Sequence, residues 1–175
     1  MASIVKRFTA ICGAILMICG LLASCGSEEI RGGYSSPEAA AKAYMQAFME
    51  EDADAGLEAV YPGLFSSSVK SYSKDDFRSG FLYQAGKYSE LWDKSLGTDR
   101  SYKFGRTATE ELNESQIDDL FGVDDLGKTW KQGEVISVSM EIIFESDAGE
   151  KTVGASMVVG KDDGKWYALF LTTIS

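Results

Sequence analysis

The sequence predicts an α+β domain, with N-terminal helices packed on a curved antiparallel sheet of about four strands in a cone-like arrangement. Three observations lead there. Helical stripes follow one another between residues 36 and 97, the last third of the chain alternates with period two, and turn chemistry divides that third at two places. Of 175 residues, 45% are hydrophobic and 25% charged, enough for one ordinary core once the N-terminal segment is set aside. The chain has 17 basic and 27 acidic residues, and Lys6 and Arg7 are the only charges before Cys25, so the remainder carries −12. An acidic surface repels phosphate, and nucleic acid is not an expected partner. Repulsion from anionic headgroups also keeps the domain itself off a membrane plane.

In chain order, Lys6-Arg7 precedes an apolar run from Ile11 to Leu22 that is interrupted only by small residues, Cys12 and Cys19. A charged start and a short hydrophobic middle read as a signal peptide, too short for a membrane-spanning helix. Leu22-Ala23-Ser24-Cys25 then resembles the lipobox of bacterial lipoproteins: a branched apolar residue, two small ones, and the cysteine that is lipidated and becomes the first residue. Cys12 and Cys19 each follow isoleucine and lack the small residue that motif needs. The resemblance implies that residues 1–24 are removed, that Cys25 is the lipidation site, and that no thiol remains in the domain. Lipid contributes ~0.8 kcal/mol per buried methylene, so two or more acyl chains on Cys25 anchor the protein stably. Residues 25–36 read as the lipidated cysteine and a polar tether, its Gly- and Ser-containing part relaxed to about 18 Å. Glu28-Glu29 resembles the acidic export signal of surface lipoproteins in Bacteroidetes. The expected location is the bacterial cell envelope, extracytoplasmic and lipid-anchored, with the cell surface as the variant this signal implies.

Residues 37–175 read as one domain. Ser36-Pro37-Glu38 opens a helix with a serine cap, proline at the first position and an acid in the first turn, and Ala41, Tyr44, Met45 and Phe48 form its apolar stripe. Asp52 or Asp54 starts a short helix carrying Leu57, Val60 and Tyr61, stopped by Pro62-Gly63. Ser73 with Asp76 caps a longer helix whose stripe is Phe77, Phe81, Ala85, Tyr88 and Trp92, closed by Gly97. Tyr102 to Thr109 reads as an edge strand, and Asn113 caps a brief helix through Ile117, Leu120 and Phe121.

From Ile136 the chain alternates Ile136, Val138, Met140, Ile142 and Phe144 with polar residues, which is a strand with one buried face. Ser146-Asp147-Ala148-Gly149 turns it, Val153, Ala155, Met157 and Val159 alternate again, and Asp162-Asp163-Gly164 leads to a last strand from Trp166 to Ile174. Ile143 and Val158 stand out on the otherwise polar face and suggest a surface for self-association.

Two stretches resemble a known family. Ser-Pro-Glu-Ala-Ala-Ala-Lys-Ala-Tyr-Met-Gln-Ala-Phe at 36–48, with Glu-Glu-Asp-Ala-Asp-Ala-Gly-Leu-Glu at 50–58, is similar to the opening helices of nuclear-transport-factor-two-like (cystatin-like) lipoprotein domains. Val-Val-Gly-Lys-Asp-Asp-Gly-Lys-Trp-Tyr at 158–167 is similar to the strand, turn and Trp-bearing last strand of the same group. The resemblance implies a curved sheet around a long helix, forming a cone whose mouth can hold a ligand. Residues 66–73 and 113–125 depart from the compact members of the group.

Composition narrows the chemistry. The chain has no histidine and only the three cysteines already assigned, which removes triads and nitrogen or sulfur zinc sites. Isomerases of the resembled fold pair an Asp base with a Tyr hydroxyl in an apolar cone, but no acid lies within an inward stripe here, and Glu141 and Glu145 fall on the polar face. Ser67-Ser68-Val69-Lys70 and Ser71-Tyr72-Ser73-Lys74 match Ser-x-x-Lys without the companion Lys-Thr-Gly. Asp52 to Gly56 begins like an EF-hand loop, yet glycine falls fifth and Gly63 stands where a glutamate is needed. Asp118-Asp119 and Asp124-Asp125 read as a solvated acidic face, and Asn113-Glu114-Ser115 as a helix cap.

The expectation is therefore a non-enzymatic envelope lipoprotein without cofactor, catalytic residue or metal site. It meets the membrane through lipid on Cys25 and binds a small ligand or an envelope protein. Tyr44, Phe48, Trp92, Phe104, Trp130 and Trp166 are the aromatic residues expected to line the cone. The alternatives are an isomerase- or hydrolase-like enzyme using Asp and Tyr, and a self-associating structural protein.

Overall fold

A computed structural model describes residues 33–65, 73–121, 130–147 and 149–175, all within one unit, Gly32–Ser175. The signal peptide, Cys25, the tether up to residue 32, the serines Ser67 and Ser71 of the Ser-x-x-Lys matches, and Asp124-Asp125 lie outside the described residues.

Each helix begins where its cap predicts. Helix α1 (Pro37–Met49) opens with the Ser36 hydroxyl accepting the Ala39 N–H at 3.2 Å, and it buries Ala40, Ala41, Met45, Ala47 and Phe48. Glu51 turns left-handed at φ 54°, which lets the Asp52 N–H reach back to the Ala47 carbonyl at 2.9 Å. The Asp52 carboxylate then accepts the N–H groups of Asp54 and Ala55, starting α2 (Ala53–Ala59). Helix α3 (Lys74–Leu96) carries a reciprocal capping box between Ser73 and Asp76, buries the stripe Phe77, Phe81, Ala85 and Trp92, and ends at Gly97. Two hydrogen bonds from Ser73 hold the Asp76 carboxyl below its usual range.

The strands β1 (Arg100–Glu111), β2 (Val135–Ser146), β3 (Gly149–Asp162) and β4 (Lys165–Ile174) form one antiparallel sheet in chain order, with helix α4 (Glu114–Phe121) after β1. The α+β class, with helices on a curved four-stranded antiparallel sheet, is as the sequence predicts. β3 and β4 join through Asp163 (φ 46°) and Gly164 (φ 75°), positive at both central residues as a type I′ hairpin turn requires. β1 is an edge strand, with a bulge between Phe104 and Thr107 and Lys103 paired to Glu145; both features blunt an open edge. The Glu141 carboxylate accepts the Arg106 N–H at that bulge, 3.1 Å away.

Four expectations are corrected. α2 ends at Ala59: Val60 is extended and bridges Ala168, and the Tyr61 N–H donates to the Ala168 carbonyl at 3.0 Å, so sheet pairing overrides helical spacing there. Pro62-Gly63 opens a 3-10 turn, Pro62–Phe65, where a stop was expected. Tyr34 belongs to the domain where a tether was expected, exchanging backbone hydrogen bonds of 2.8 and 2.9 Å with Trp166. Leu120 is 42% exposed, off the buried face of α4.

The sheet is also covered on both faces. On one side α1, α2 and α3 bury Ile136, Val138, Met140, Ile142 and Phe144 of β2 with Val153, Ala155, Met157 and Val159 of β3. On the other side a second core joins Val135, Val158 and Leu169 to Ile117, Phe121 and Trp130, with Tyr61 and Leu112 beside them. Val158 is 2% exposed, so this second core covers one of the two positions that suggested self-association, while the other, Ile143, is half-buried outside it. Val60 and Tyr61, at the β4 edge, belong to the first and second cores respectively.

Two bulges in β4 explain why Trp166 to Ile174 does not alternate simply. Its register shifts between Val158 and Val159 and again between Ser156 and Met157, which inserts Leu169 and Thr172 as extra residues. Leu169 is thereby delivered to the second core, while Leu171 and Ile174 return to the first.

Candidate functional site

Between α1, α3 and the end of β4 lies a cavity of about 470 Å³, within the range of small-molecule sites. α1 contributes Tyr44 and Phe48, four residues apart on one helical face. α3 contributes Phe77, Phe81 and Tyr88 from its buried stripe, with Gly80 and Gln84 at the rim. β4 contributes Leu171 to Ile174, the stretch its second bulge redirects. The bridges from Tyr34 and Val60 along the β4 edge reach only to Ala168, and the cavity opens beside the residues that follow.

The walls are fixed by ring contacts. Phe81 meets Tyr44 at 5.4 Å, Phe48 at 5.6 Å and Phe77 at 5.5 Å between centroids, and Phe48 meets Tyr88 at 5.8 Å. Such pairs contribute about 0.5–1.5 kcal/mol each beyond burial. The polar groups of the lining are neutral: the Tyr44 and Tyr88 hydroxyls, the Gln84 amide, and Thr172 and Thr173. Among the described residues no Asp, Glu, Lys or Arg lines the cavity, and none is buried. The Thr172 hydroxyl is committed to the Ser156 carbonyl at 2.8 Å.

A carboxylate and a tyrosine do meet elsewhere. The Tyr102 hydroxyl donates to Glu50 Oε1 at 2.9 Å, and the Gln46 amide donates to the same oxygen at 3.1 Å. The pair lies at the surface and outside the cavity lining. Burial first, and the Glu50 hydrogen bond second, push the Tyr102 hydroxyl up to about 12. The folded chain thus holds this proton more tightly than an unfolded tyrosine at 10.0. The resulting stabilisation is intact below about pH 10 and is lost as pH rises to about 12. In a tyrosinate absorbance titration, Tyr102→Phe is expected to delete the step near pH 12 and to flatten part of the stability loss above pH 10. Burial also raises Tyr34, Tyr61 and Tyr167, and the hydrogen bond to Glu145 raises Lys103, so these groups add to the loss at high pH.

Of the six aromatic residues expected to line a cone, the structure brings Tyr44 and Phe48 together at the cavity. Trp92 meets Phe144 at 5.0 Å and Tyr88 at 5.6 Å in tilted ring contacts and is not among the lining residues. Phe104 packs edge-on against Tyr102 on β1, and Trp166 lies in the first core beside Tyr34. Trp130 is on the opposite face of the sheet, in the second core. The lining that the sequence reading did not assign comes from α3 and β4. The α3 part was present as the Phe77, Phe81, Tyr88 stripe, whereas Gln84 and the β4 residues carried no periodic signal.

A second hollow, of about 370 Å³, crosses the sheet over the β1 bulge, Ser139, Gly154 and Ser156. Its serine hydroxyls lie 3.1 Å apart and satisfy each other. Among the described residues no group of three or more His, Cys, Asp or Glu side chains could hold a metal ion, and no helix is long and apolar enough to cross a membrane. No protein-family model, curated protein or solved structure matches the chain.

Proposed function

We propose that this protein is a lipid-anchored, extracytoplasmic lipoprotein of the bacterial envelope whose nuclear-transport-factor-two-like domain binds a small ligand without transforming it. The observation that carries the binding reading is the aromatic cavity between α1, α3 and β4, formed by interlocked rings and, among the described residues, lined by no charged side chain. General acid–base catalysis needs a titrating group within hydrogen-bond reach of the reacting atom. In this cavity the Tyr88 hydroxyl and the Gln84 amide offer orientation, and no carboxylate is among the described lining residues. Helices ahead of an antiparallel meander support the family resemblance, and Leu22-Ala23-Ser24-Cys25 supports the anchor.

Two experiments test the two halves separately. In cells fed radioactive palmitate, Cys25→Ala is expected to abolish labelling and to release the domain from the membrane fraction; undiminished labelling would refute the anchor. For the cavity, ligand-observed NMR with a library of small aromatic fragments is expected to yield binders whose signal disappears with Gln84→Trp, which fills the rim from an exposed helix position. Fragments that bind that variant as well as the wild type would remove the cavity from consideration.

A further inference from the structure

The cavity has a polarity gradient as well as a shape. Its deep side is Phe48, Phe77 and Phe81, all buried, while Gln84, Thr172 and Thr173 are exposed at the rim. Every polar group among the described lining residues is uncharged. An ion entering here would leave water for aromatic walls where no described residue offers a counter-charge, which is strongly unfavourable, whereas a hydroxyl or amide can be satisfied by the Gln84 amide at the mouth. Ring-bearing walls and the aliphatic floor of Leu171 and Ile174 favour a flat or cyclic apolar body. We infer that the ligand is an uncharged amphiphile, with an apolar ring system held among Phe48, Phe77 and Phe81 and a neutral hydroxyl or amide end at Gln84 and the β4 rim.

This rests on the cavity being the ligand site, and the test separates the two. N-phenyl-1-naphthylamine and 8-anilino-1-naphthalenesulfonate share one ring scaffold and differ by a sulfonate, so their affinities compare charge at nearly constant shape. The measurement is fluorescence titration of residues 26–175, carried out in ~1 M NaCl. The Debye length there is about 3 Å, which screens repulsion of the anion by the net acidic surface. The neutral probe is expected to bind the wild type at least ~10-fold more tightly than the anionic one. Gln84→Arg, which places one cation at the rim, is expected to reverse the preference by a similar factor. Gln84→Trp, or Thr173→Trp from the opposite wall, is expected to weaken both probes. Both positions are exposed, and circular dichroism confirms that the variants fold.

Equal affinities in the wild type, both lost in the filled variants, would overturn the charge inference and leave the site in place. Neutral-probe binding that both filled variants retain, or no binding of either probe, would overturn the site itself.

Discussion

Phe144→Ala is expected to destabilise the domain by about 3–5 kcal/mol, as truncation of a fully enclosed aromatic residue does when its surroundings cannot collapse. Phe144 is 0% exposed on the inner sheet face, and the Trp92 ring packs against it, tilted by 46°, at 5.0 Å. Its flanks are fixed by pairing to Tyr102 on one side and Lys151 on the other, which prevents the strand from moving into the void. Against a total stability of roughly 5–15 kcal/mol this is a large share. Urea denaturation of residues 26–175 measures it, and thermal melting should fall by roughly 2–4 °C per kcal/mol lost. A loss below about 1 kcal/mol would mean that α3 does not hold Trp92 against the sheet as described.

Trp130→Ala is expected to cost about 3 kcal/mol, at the lower end for a buried tryptophan because the second core is smaller and nearer the surface. The ring lies 6.1 Å from Phe121 and 5.2 Å from Tyr61, over Gly160. A β-carbon built at Gly160 would come within 2.5 Å of the indole, so only glycine lets the ring settle on the strand. Removing the indole should release α4, which reaches the sheet through Ile117 and Phe121. Hydrogen exchange is the discriminating measurement. Protection should drop in residues 114–121 while the inner face around Ile142 and Met157 stays protected, and sedimentation should show more association than in the wild type, because Val158 becomes exposed. A uniform loss of protection would show instead that the two cores open as one unit.

Much of this was legible because it is local. Caps at Ser36, Asp52, Ser73 and Asn113 work within a single turn of chain, and a period-two pattern with Asp-Gly between strands specifies a hairpin without reference to anything distant. The second core was not legible, since Val158 reads as a lapse in an outward polar face until Trp130 and α4 are placed over it, and Val135 and Leu169 gave no signal of their own. Val60 and Tyr61 carry a helical signal that pairing with Ala168 overrules. At the candidate site, Tyr44 and Phe48 follow from a helical stripe, but Gln84, Leu171 and Ile174 join it only through the gap between α3 and β4. Hydrophobicity alone did not say on which face of the sheet Trp130 would sit.

Spatial order in the sheet equals chain order, so every strand pairs with its neighbour in sequence, and two of the three connections are two-residue turns. Such contacts close short loops and form within about 1–10 μs for an isolated hairpin. The additions at Tyr34 and Val60 instead wait for chain ends far apart in sequence to meet, because loop closure is unfavourable until a surface exists to reward it. The meander can therefore form as soon as its own residues are present, and the edge staples at Trp166 and Ala168 close only afterwards. Low contact order in the meander thus favours assembly from the C-terminal sheet back toward the N-terminus.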